Sequence, residues 1–259
     1  MSTGEATSPL LEVRGLRKAF GGNLVLDDVN LQFQRRRVSA LIGPNGAGKT
    51  TCFNLLTGVL TPDRGAIRYR GQDITGLSPD RRARLGMCRS FQILNLFNDY
   101  TVLQNVRVAV PAMRRCGFNL WTPATNNREA EDKAAGIIRL VGLAGHEHVE
   151  AKHLGYGQRR LLEIGVALAG EPDLLLMDEP TSGLGGRPLE ILRELVQRLS
   201  DALTIVVIEH DMSFVLSLSH HISVLHQGAV IAGGPPAAIR DNAEVRECYL
   251  GTLKYARRS

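Results

Sequence analysis

Two patterns of hydrophobic residues run along this chain of 259 residues. The first is an alternation of apolar and polar positions, which covers Leu11, Val13, Leu16, Val29, Leu31 and Phe33. Because a period of two places every second side chain on the same face, these stretches predict half-buried strands of an antiparallel sheet. Residues 66–69 have the composition of a further strand, which we expect to join this sheet.

The second pattern is a set of short, continuous apolar runs. They cover residues 38–42, 174–178, 204–208 and 222–225 and are rich in leucine and β-branched side chains. Strands of this kind are typically buried on both faces, and helical stretches separate most of them along the chain. The predicted fold is therefore α/β, with a parallel sheet and crossover helices beside the antiparallel sheet.

Between residues 91 and 157 the periodicity becomes helical. Helices are predicted over residues 102–110 and 128–141, joined by a loop that contains Pro111, Gly117 and Pro123. We interpret this region as a helical subdomain inserted into the α/β core. The predicted boundaries are a tail over 1–9 and one domain over 10–259, with a core of 10–91 and 158–234, a helical subdomain of about 92–157 and a helical tail of 235–259.

Composition narrows the function. No apolar run approaches the ~20 residues that a membrane-spanning helix needs, and Met1 to Pro9 lack the features of a secretion signal. The net charge is +5, but the basic residues are dispersed and form no basic stripe with interleaved aromatic residues, so we expect no nucleic-acid partner. Four scattered cysteines fit a reducing compartment, and His146, Glu147 and His148 are expected to form a polar surface loop.

A glycine-rich motif follows the apolar run that ends at Ile42. It consists of Gly43, Pro44, Asn45, Gly46, Ala47, Gly48, Lys49 and Thr50, and Thr51 is the next residue of the expected helix. In such a phosphate-binding loop (P-loop), glycines let backbone N–H groups turn toward phosphates and the helix N-terminus adds a positive dipole end. Lys49 is predicted to reach the β- and γ-phosphates, and Thr50 to bind Mg²⁺. The motif therefore predicts binding of ATP with Mg²⁺.

Two adjacent carboxylates end the apolar run 174–178. Asp178 is predicted to belong to the Mg²⁺ shell, and Glu179 to polarise the water that attacks the γ-phosphate.

With these motifs the chain resembles the ABC-family ATPases over nearly its whole length. Residues 154–158 resemble the signature sequence of that family, which closes on the γ-phosphate held by a second subunit. The resemblance implies nucleotide contacts for Gly155, Gly157 and Gln158, and a dimer with a second ATPase subunit, identical or different.

The resemblance assigns roles to three more residues. Gln92 matches the glutamine that senses Mg²⁺ and couples the helical subdomain to the membrane partner, and His210 matches the switch histidine that contacts the γ-phosphate. Phe20 resembles the aromatic residue that stacks on adenine, although burial beneath the antiparallel sheet is an alternative explanation.

Two positions depart from the family pattern. The signature usually has serine where this chain has Gly155, so a hydroxyl is missing, and the loop after Glu179 has Gly185 where aspartate or asparagine is usual. Both departures concern the rate of hydrolysis and leave ATP binding intact.

Residues 91–97, 157–164 and 208–212 are similar to the larger ATPase of branched-chain amino-acid importers of the hydrophobic amino-acid uptake class. This similarity implies transmembrane permease partners, a periplasmic substrate-binding protein, and peripheral attachment to the cytoplasmic face of the bacterial inner membrane. A urea or short-chain amide importer is the alternative. A non-transport ABC protein is less consistent, since the chain has neither a second cassette nor a long coiled coil, and the signature opposes a P-loop kinase or GTPase.

Overall fold

The structure is a computed structural model that describes residues 8–90, 96–110 and 125–248. These residues pack as two compact units. The first unit contains residues 8–85 and 200–248, and the second unit contains the described residues between 86 and 199. The sequence placed the boundaries between core and helical subdomain at other residues than the boundaries of these two units. The predicted subdomain boundaries stay a prediction.

Strands and helices alternate through much of the chain. The strands are β1 (Leu11–Phe20), β2 (Asn23–Phe33), β3 (Val38–Ile42), β4 (Arg64–Tyr69), β5 (Gln72–Asp73), β6 (Met87–Ser90), β7 (Leu174–Asp178), β8 (Thr204–Ile208), β9 (His221–His226) and β10 (Ala229–Gly234). The helices are α1 (Lys49–Thr57), α2 (Pro79–Arg84), α3 (Val102–Ala109), α4 (Thr125–Leu140), α5 (Tyr156–Ala169), α6 (Arg187–Leu199), α7 (Met212–Leu218) and α8 (Pro236–Asp241).

The first unit contains the predicted antiparallel sheet, with strand order β2-β1-β4-β5. In its register Leu11 pairs with Phe33, Val13 with Leu31, and Leu16 with Val29. The alternating positions are buried on one face of the sheet, so the predicted strands and their antiparallel pairing are confirmed.

The first unit also holds a set of parallel strands. β3 lies between β8 and β9 and runs parallel to both, with Leu41 opposite Ile208 and Ile42 opposite Val224. All five residues of β3 and of β8 are buried, as their apolar sequences predicted. Since parallel neighbours end at the same edge, the segments that follow Ile42 and Ile208 lie side by side. β10 pairs antiparallel with β9 and was not predicted.

The second unit combines a parallel strand pair with helices. β6 runs parallel to β7, and α3, α4 and α5 pack against one another through buried residues such as Val106, Ala134 and Leu161. A capping box begins α3, because Thr101 N donates to Gln104 Oε1 over 2.8 Å and Gln104 N donates to Thr101 Oγ1 over 3.2 Å. The two predicted helices are confirmed, whereas the loop with Pro111, Gly117 and Pro123 lies outside the described residues.

Across the described ranges, no helix combines the length and the apolar character that crossing a bilayer requires.

Candidate nucleotide and catalytic site

The P-loop connects β3 to α1, and two of its glycines, Gly43 and Gly48, are required by their surroundings. A Cβ atom at Gly43 would lie 2.1 Å from the backbone oxygen of Leu225. Gly48 has a φ of 102°, and a Cβ there would lie 2.7 Å from Leu26 Cδ2 and 3.0 Å from Val25 O. The backbone contact at Gly43 cannot be accommodated, and at Gly48 the positive φ adds strain to the tight contacts for any other residue. The loop therefore keeps its shape only with glycine at these positions.

Lys49 is the first residue of α1, and its side chain folds back over the loop. Its Nζ atom donates hydrogen bonds to Gly43 O over 2.6 Å and to Pro44 O over 3.0 Å. Gly48 has no side chain that could cap α1, so the positive end of the helix dipole is open to an anion. The remaining loop residues Asn45 and Gly46 are exposed, and Ala47 is buried.

Gly228 links the P-loop to β2 through two backbone hydrogen bonds. Gly228 N donates to Ala47 O over 3.1 Å, and Asp27 N donates to Gly228 O over 2.9 Å. Gly228 lies in the turn between β9 and β10 with a φ of 82°, and a Cβ there would lie 2.4 Å from Val25 O. Sequence reasoning missed this role of Gly228. A Gln-Gly pair between two strand-like runs is a turn signal that could have indicated it.

His210 lies directly after β8, at the edge where the P-loop follows β3. Its side chain is 58% exposed, so the imidazole is accessible to a ligand. Phe20 ends β1 and is 46% exposed, with Lys18 Nζ 5.5 Å from its ring centroid. Burial beneath the antiparallel sheet is therefore wrong, and the exposed Phe20 has the chemistry to stack on a planar ring.

The second unit holds the two adjacent carboxylates at the end of β7. The side chain of Asp178 is 3% exposed, and its Oδ2 atom lies 3.4 Å from Arg89 Nη2. Burial raises the pKa of Asp178, and the neighbouring Arg89 guanidinium opposes that shift. Arg89 is itself half-buried, and desolvation lowers its pKa. At the end of β7, the positive charge of Arg89 therefore partly offsets the cost of burying the Asp178 carboxylate.

Arg160 of α5 fixes the backbone around these carboxylates. Its Nη2 atom donates to Asp178 O over 2.8 Å and to Glu179 O over 3.4 Å, while its Nη1 atom donates to Glu163 Oε2 over 2.8 Å. Glu179 adopts a φ of 44°, which is rare for a residue with a side chain. Sequence reasoning did not assign roles to Arg89, Arg160 or Glu163. Arg160 and Glu163 are three residues apart on the buried face of a helix, and this spacing could have indicated the Arg160–Glu163 pair from the sequence.

The predicted signature residues begin α5. Gly155 N donates to Gln158 Oε1 over 3.1 Å, and Gln158 Nε2 lies 2.9 Å from His146 Nε2. Gly155 is exposed, and a Cβ there would lie 3.7 Å from Gln158 Oε1, an ordinary contact. A Cβ at Gly157 would lie 2.7 Å from Pro188 Cγ, so close packing requires this second glycine.

The donors of both units suit the predicted ligand. The glycine-lined loop and Lys49 match a polyphosphate, and the hydroxyl of exposed Thr50 and the carboxylate of Asp178 are the oxygen ligands that Mg²⁺ prefers. Thr51 follows as a half-buried residue of α1. Gln92, the third predicted metal ligand, lies outside the described residues. Among the described residues, no group of three or more His, Cys, Asp or Glu side chains could hold a metal ion.

Comparisons with known proteins extend this assignment to the whole chain. Residues 26–182 match the family model of ABC transporters, and residues 229–253 match that of branched-chain amino acid ATP-binding cassette transporters. The chain is 40% identical to the high-affinity branched-chain amino acid transport ATP-binding protein LivG of Escherichia coli, over 95% of this chain and 99% of the relative. It is 42% identical to BraF of Pseudomonas aeruginosa, the protein of the same description, over 94% and 98%.

The fold is also found in a solved structure. The ADP conformation of MJ1267, an ATP-binding cassette of an ABC transporter, superimposes with a TM-score of 0.81 at 29% identity, covering 95% of this chain and all of that one. This agreement confirms the predicted P-loop fold with its antiparallel and helical subdomains. The family match also removes the P-loop kinase and GTPase alternatives. The chain belongs to the ATP-binding subunits of ABC transporters, in the family of branched-chain amino acid transporters.

Proposed function

We propose that this chain binds ATP together with Mg²⁺ and uses its hydrolysis to power uptake of branched-chain amino acids through partner permeases. The observation that carries the proposal is the P-loop, whose Gly43 and Gly48 cannot take a side chain without a clash or backbone strain and whose lysine is folded over the loop. The relatives, described as high-affinity branched-chain amino acid transport ATP-binding proteins, supply the substrate class.

Each predicted residue has a distinct task in this proposal. The P-loop residues from Gly43 to Thr51 hold the phosphates, and Phe20 stacks on the adenine. Thr50, Asp178 and Gln92 would hold Mg²⁺, which when bound neutralises charge on the β- and γ-phosphates. Glu179 orients and polarises the attacking water, and His210 contacts the γ-phosphate.

The proposal requires two ATPase subunits. Each ATP is held by the P-loop of one subunit and covered by Gly155, Gly157 and Gln158 of the other, so ATP favours a closed dimer and hydrolysis releases it. The second subunit is identical or different. Closure switches the permeases, to which a periplasmic binding protein delivers substrate, and the assembly lies at the cytoplasmic face of the inner membrane. The subdomain boundaries given above belong to the same proposal.

The test is the variant Lys49→Ala in the transporter reconstituted with its permeases and partner ATPase. We expect ATP affinity and ATP-driven amino-acid uptake to be lost, because the phosphates lose their main cationic contact, while circular dichroism shows an intact fold. Lys133→Ala, which removes an exposed lysine from α4, is the matched control. Wild-type ATP affinity in folded Lys49→Ala would refute the P-loop assignment.

A further inference from the structure

Glu209, between β8 and His210, has a fully buried side chain with 0% exposure. Its backbone N–H group points to Leu41 O over 3.4 Å, so the residue still belongs to the edge where β3 and β8 end. A buried carboxylate is unfavourable unless hydrogen bonds compensate its lost hydration. The contacts of Glu209 therefore indicate what its carboxylate holds in place.

One oxygen of this carboxylate contacts His210 twice. Oε2 accepts hydrogen bonds from His210 N over 2.9 Å and from Asp211 N over 3.2 Å. The same oxygen lies 3.7 Å from Nδ1 of the His210 ring. One atom thus fixes the backbone of His210 and lies next to its imidazole.

The chain after His210 is fixed independently. Asp211 Oδ1 accepts hydrogen bonds from Ser213 N over 2.8 Å and from Phe214 N over 3.1 Å, which caps α7. Because α7 has its own cap, the carboxylate of Glu209 is not needed to begin the helix. Its hydrogen bonds with His210 N and Asp211 N instead fix the turn that carries His210.

We propose that Glu209 is a positioning residue for His210. Its carboxylate holds the turn and keeps Nδ1 toward the protein, so that Nε2 is the ring nitrogen presented to the nucleotide. The inference rests on the proposed function, in which His210 contacts the γ-phosphate. Glu209 acts through His210 and does not itself touch the nucleotide.

A double-mutant cycle in the assembled transporter tests this coupling. Glu209→Ala should lower kcat for ATP hydrolysis roughly 10-fold, as loss of an orienting partner of histidine does elsewhere, and leave KM within about 2-fold. Added to His210→Ala, it should change kcat by less than about 2-fold. Glu209→Gln keeps an acceptor oxygen and should restore most of the lost kcat. Glu12→Ala, which removes a half-buried acid paired with Arg14, is the matched control.

Ring ¹⁵N NMR supplies a readout that requires no turnover. The His210 resonances are identified by their loss in His210→Ala, and Nε2 should respond to a non-hydrolysable ATP analogue while Nδ1 carries the proton without nucleotide. If the wild-type transporter hydrolyses no ATP, the proposed function fails, and the Nδ1 proton in nucleotide-free protein still decides the role of Glu209. Independent losses in the double mutant, a Gln variant as impaired as Ala, or a nucleotide response at Nδ1 would each overturn the proposal.

Discussion

The two glycine-rich helix starts of this chain look alike in sequence and differ in their physical basis. At the start of α1, Gly48 has a φ of 102° and no room for a Cβ atom. At the start of α5, Gly155 has a φ of −64° and space for a side chain. Glycine is thus required by geometry before α1, whereas before α5 any small residue fits.

From this difference we expect the start of α1 to determine ATP binding and Gly155 to affect only the rate of ATP hydrolysis. The loop before α1 must take one shape to place backbone N–H groups around phosphates, so its sequence is constrained by packing. Gly155 is not constrained in this way, and the serine usual at this position in the family would fit. The hydroxyl is therefore not missing for lack of space, and we expect its absence to affect catalysis.

The largest effect is expected for Gly48→Ala. The added methyl group would clash with Leu26 and Val25, so we expect the P-loop to deform and ATP binding to become undetectable in a nucleotide titration. Gly155→Ala is the matched control, with ATP affinity within about 2-fold of wild type. Similar losses in both variants would remove the distinction between the two helix starts.

A large loss of stability is expected when Arg82, which holds the C-terminal end of α1, is replaced. Arg82 is buried, and its guanidinium donates to the backbone oxygens of Leu55 and Leu56 over 2.7 Å each. Burial lowers the pKa of Arg82 to about 10, which leaves it charged at neutral pH.

Arg82→Met should reduce the free energy of unfolding by about 3 kcal/mol, since the buried carbonyl groups lose their donor. Urea denaturation measures it. Arg84→Met, on the same helix and exposed, is the control, and an equal change in both variants would contradict the anchoring role.

An intermediate effect is expected for Gly155→Ser in the reconstituted transporter. One hydrogen-bond donor at the developing phosphate charge contributes up to roughly 10²-fold in rate, so the serine should accelerate hydrolysis at the ATP held by the partner P-loop. The two ATP sites of a transporter with two different ATPases are then unequal in the wild type. Disabling each P-loop in turn measures the contribution of each site. Unchanged turnover with serine, together with equal losses from the two P-loop variants, would show that the sites are equivalent.

The smallest effect concerns Cys52 in the first turn of α1. Burial raises the pKa of this thiol to about 12, so at pH 8 only about one molecule in 10⁴ carries the reactive thiolate. We expect mass spectrometry to show no alkylation of Cys52 by iodoacetamide at pH 8. Alkylation should begin only as the pH rises toward 12, whereas half-buried Cys88 serves as the comparison. Rapid labelling at pH 8 would mean that α1 opens at its first turn.

The pattern of apolar residues predicted the strands well. Side chains alternate between the two faces of a strand, so the sequence shows which faces are apolar and therefore buried. The alternation in β1 and β2 and the continuous runs in β3, β7 and β8 appear in the structure as half-buried and fully buried strands. Edge strand β10 was missed, since residues 229–234 include four small residues and are mostly only partly buried.

The supporting residues of the site were less predictable than its motifs. Gly43, Lys49 and Asp178 belong to spacings that chemistry dictates, and sequence alone pointed to them. Gly228, Arg160 and Glu209 act through contacts with residues far along the chain or through backbone atoms. Contacts between distant residues depend on tertiary packing, and contacts with backbone atoms do not depend on which residue supplies the backbone. Neither kind therefore produces a pattern in the local sequence.

The most direct test of the account is Glu179→Gln, measured for ATP affinity and single-turnover hydrolysis in the same preparation. We predict unchanged affinity, hydrolysis reduced on the order of 10²-fold or more, and an ATP-trapped dimer with the partner ATPase in size-exclusion chromatography. Glu190→Gln, an exposed acid of α6, is the control. Hydrolysis at the wild-type rate in Glu179→Gln would contradict the account, because another group would then polarise the attacking water.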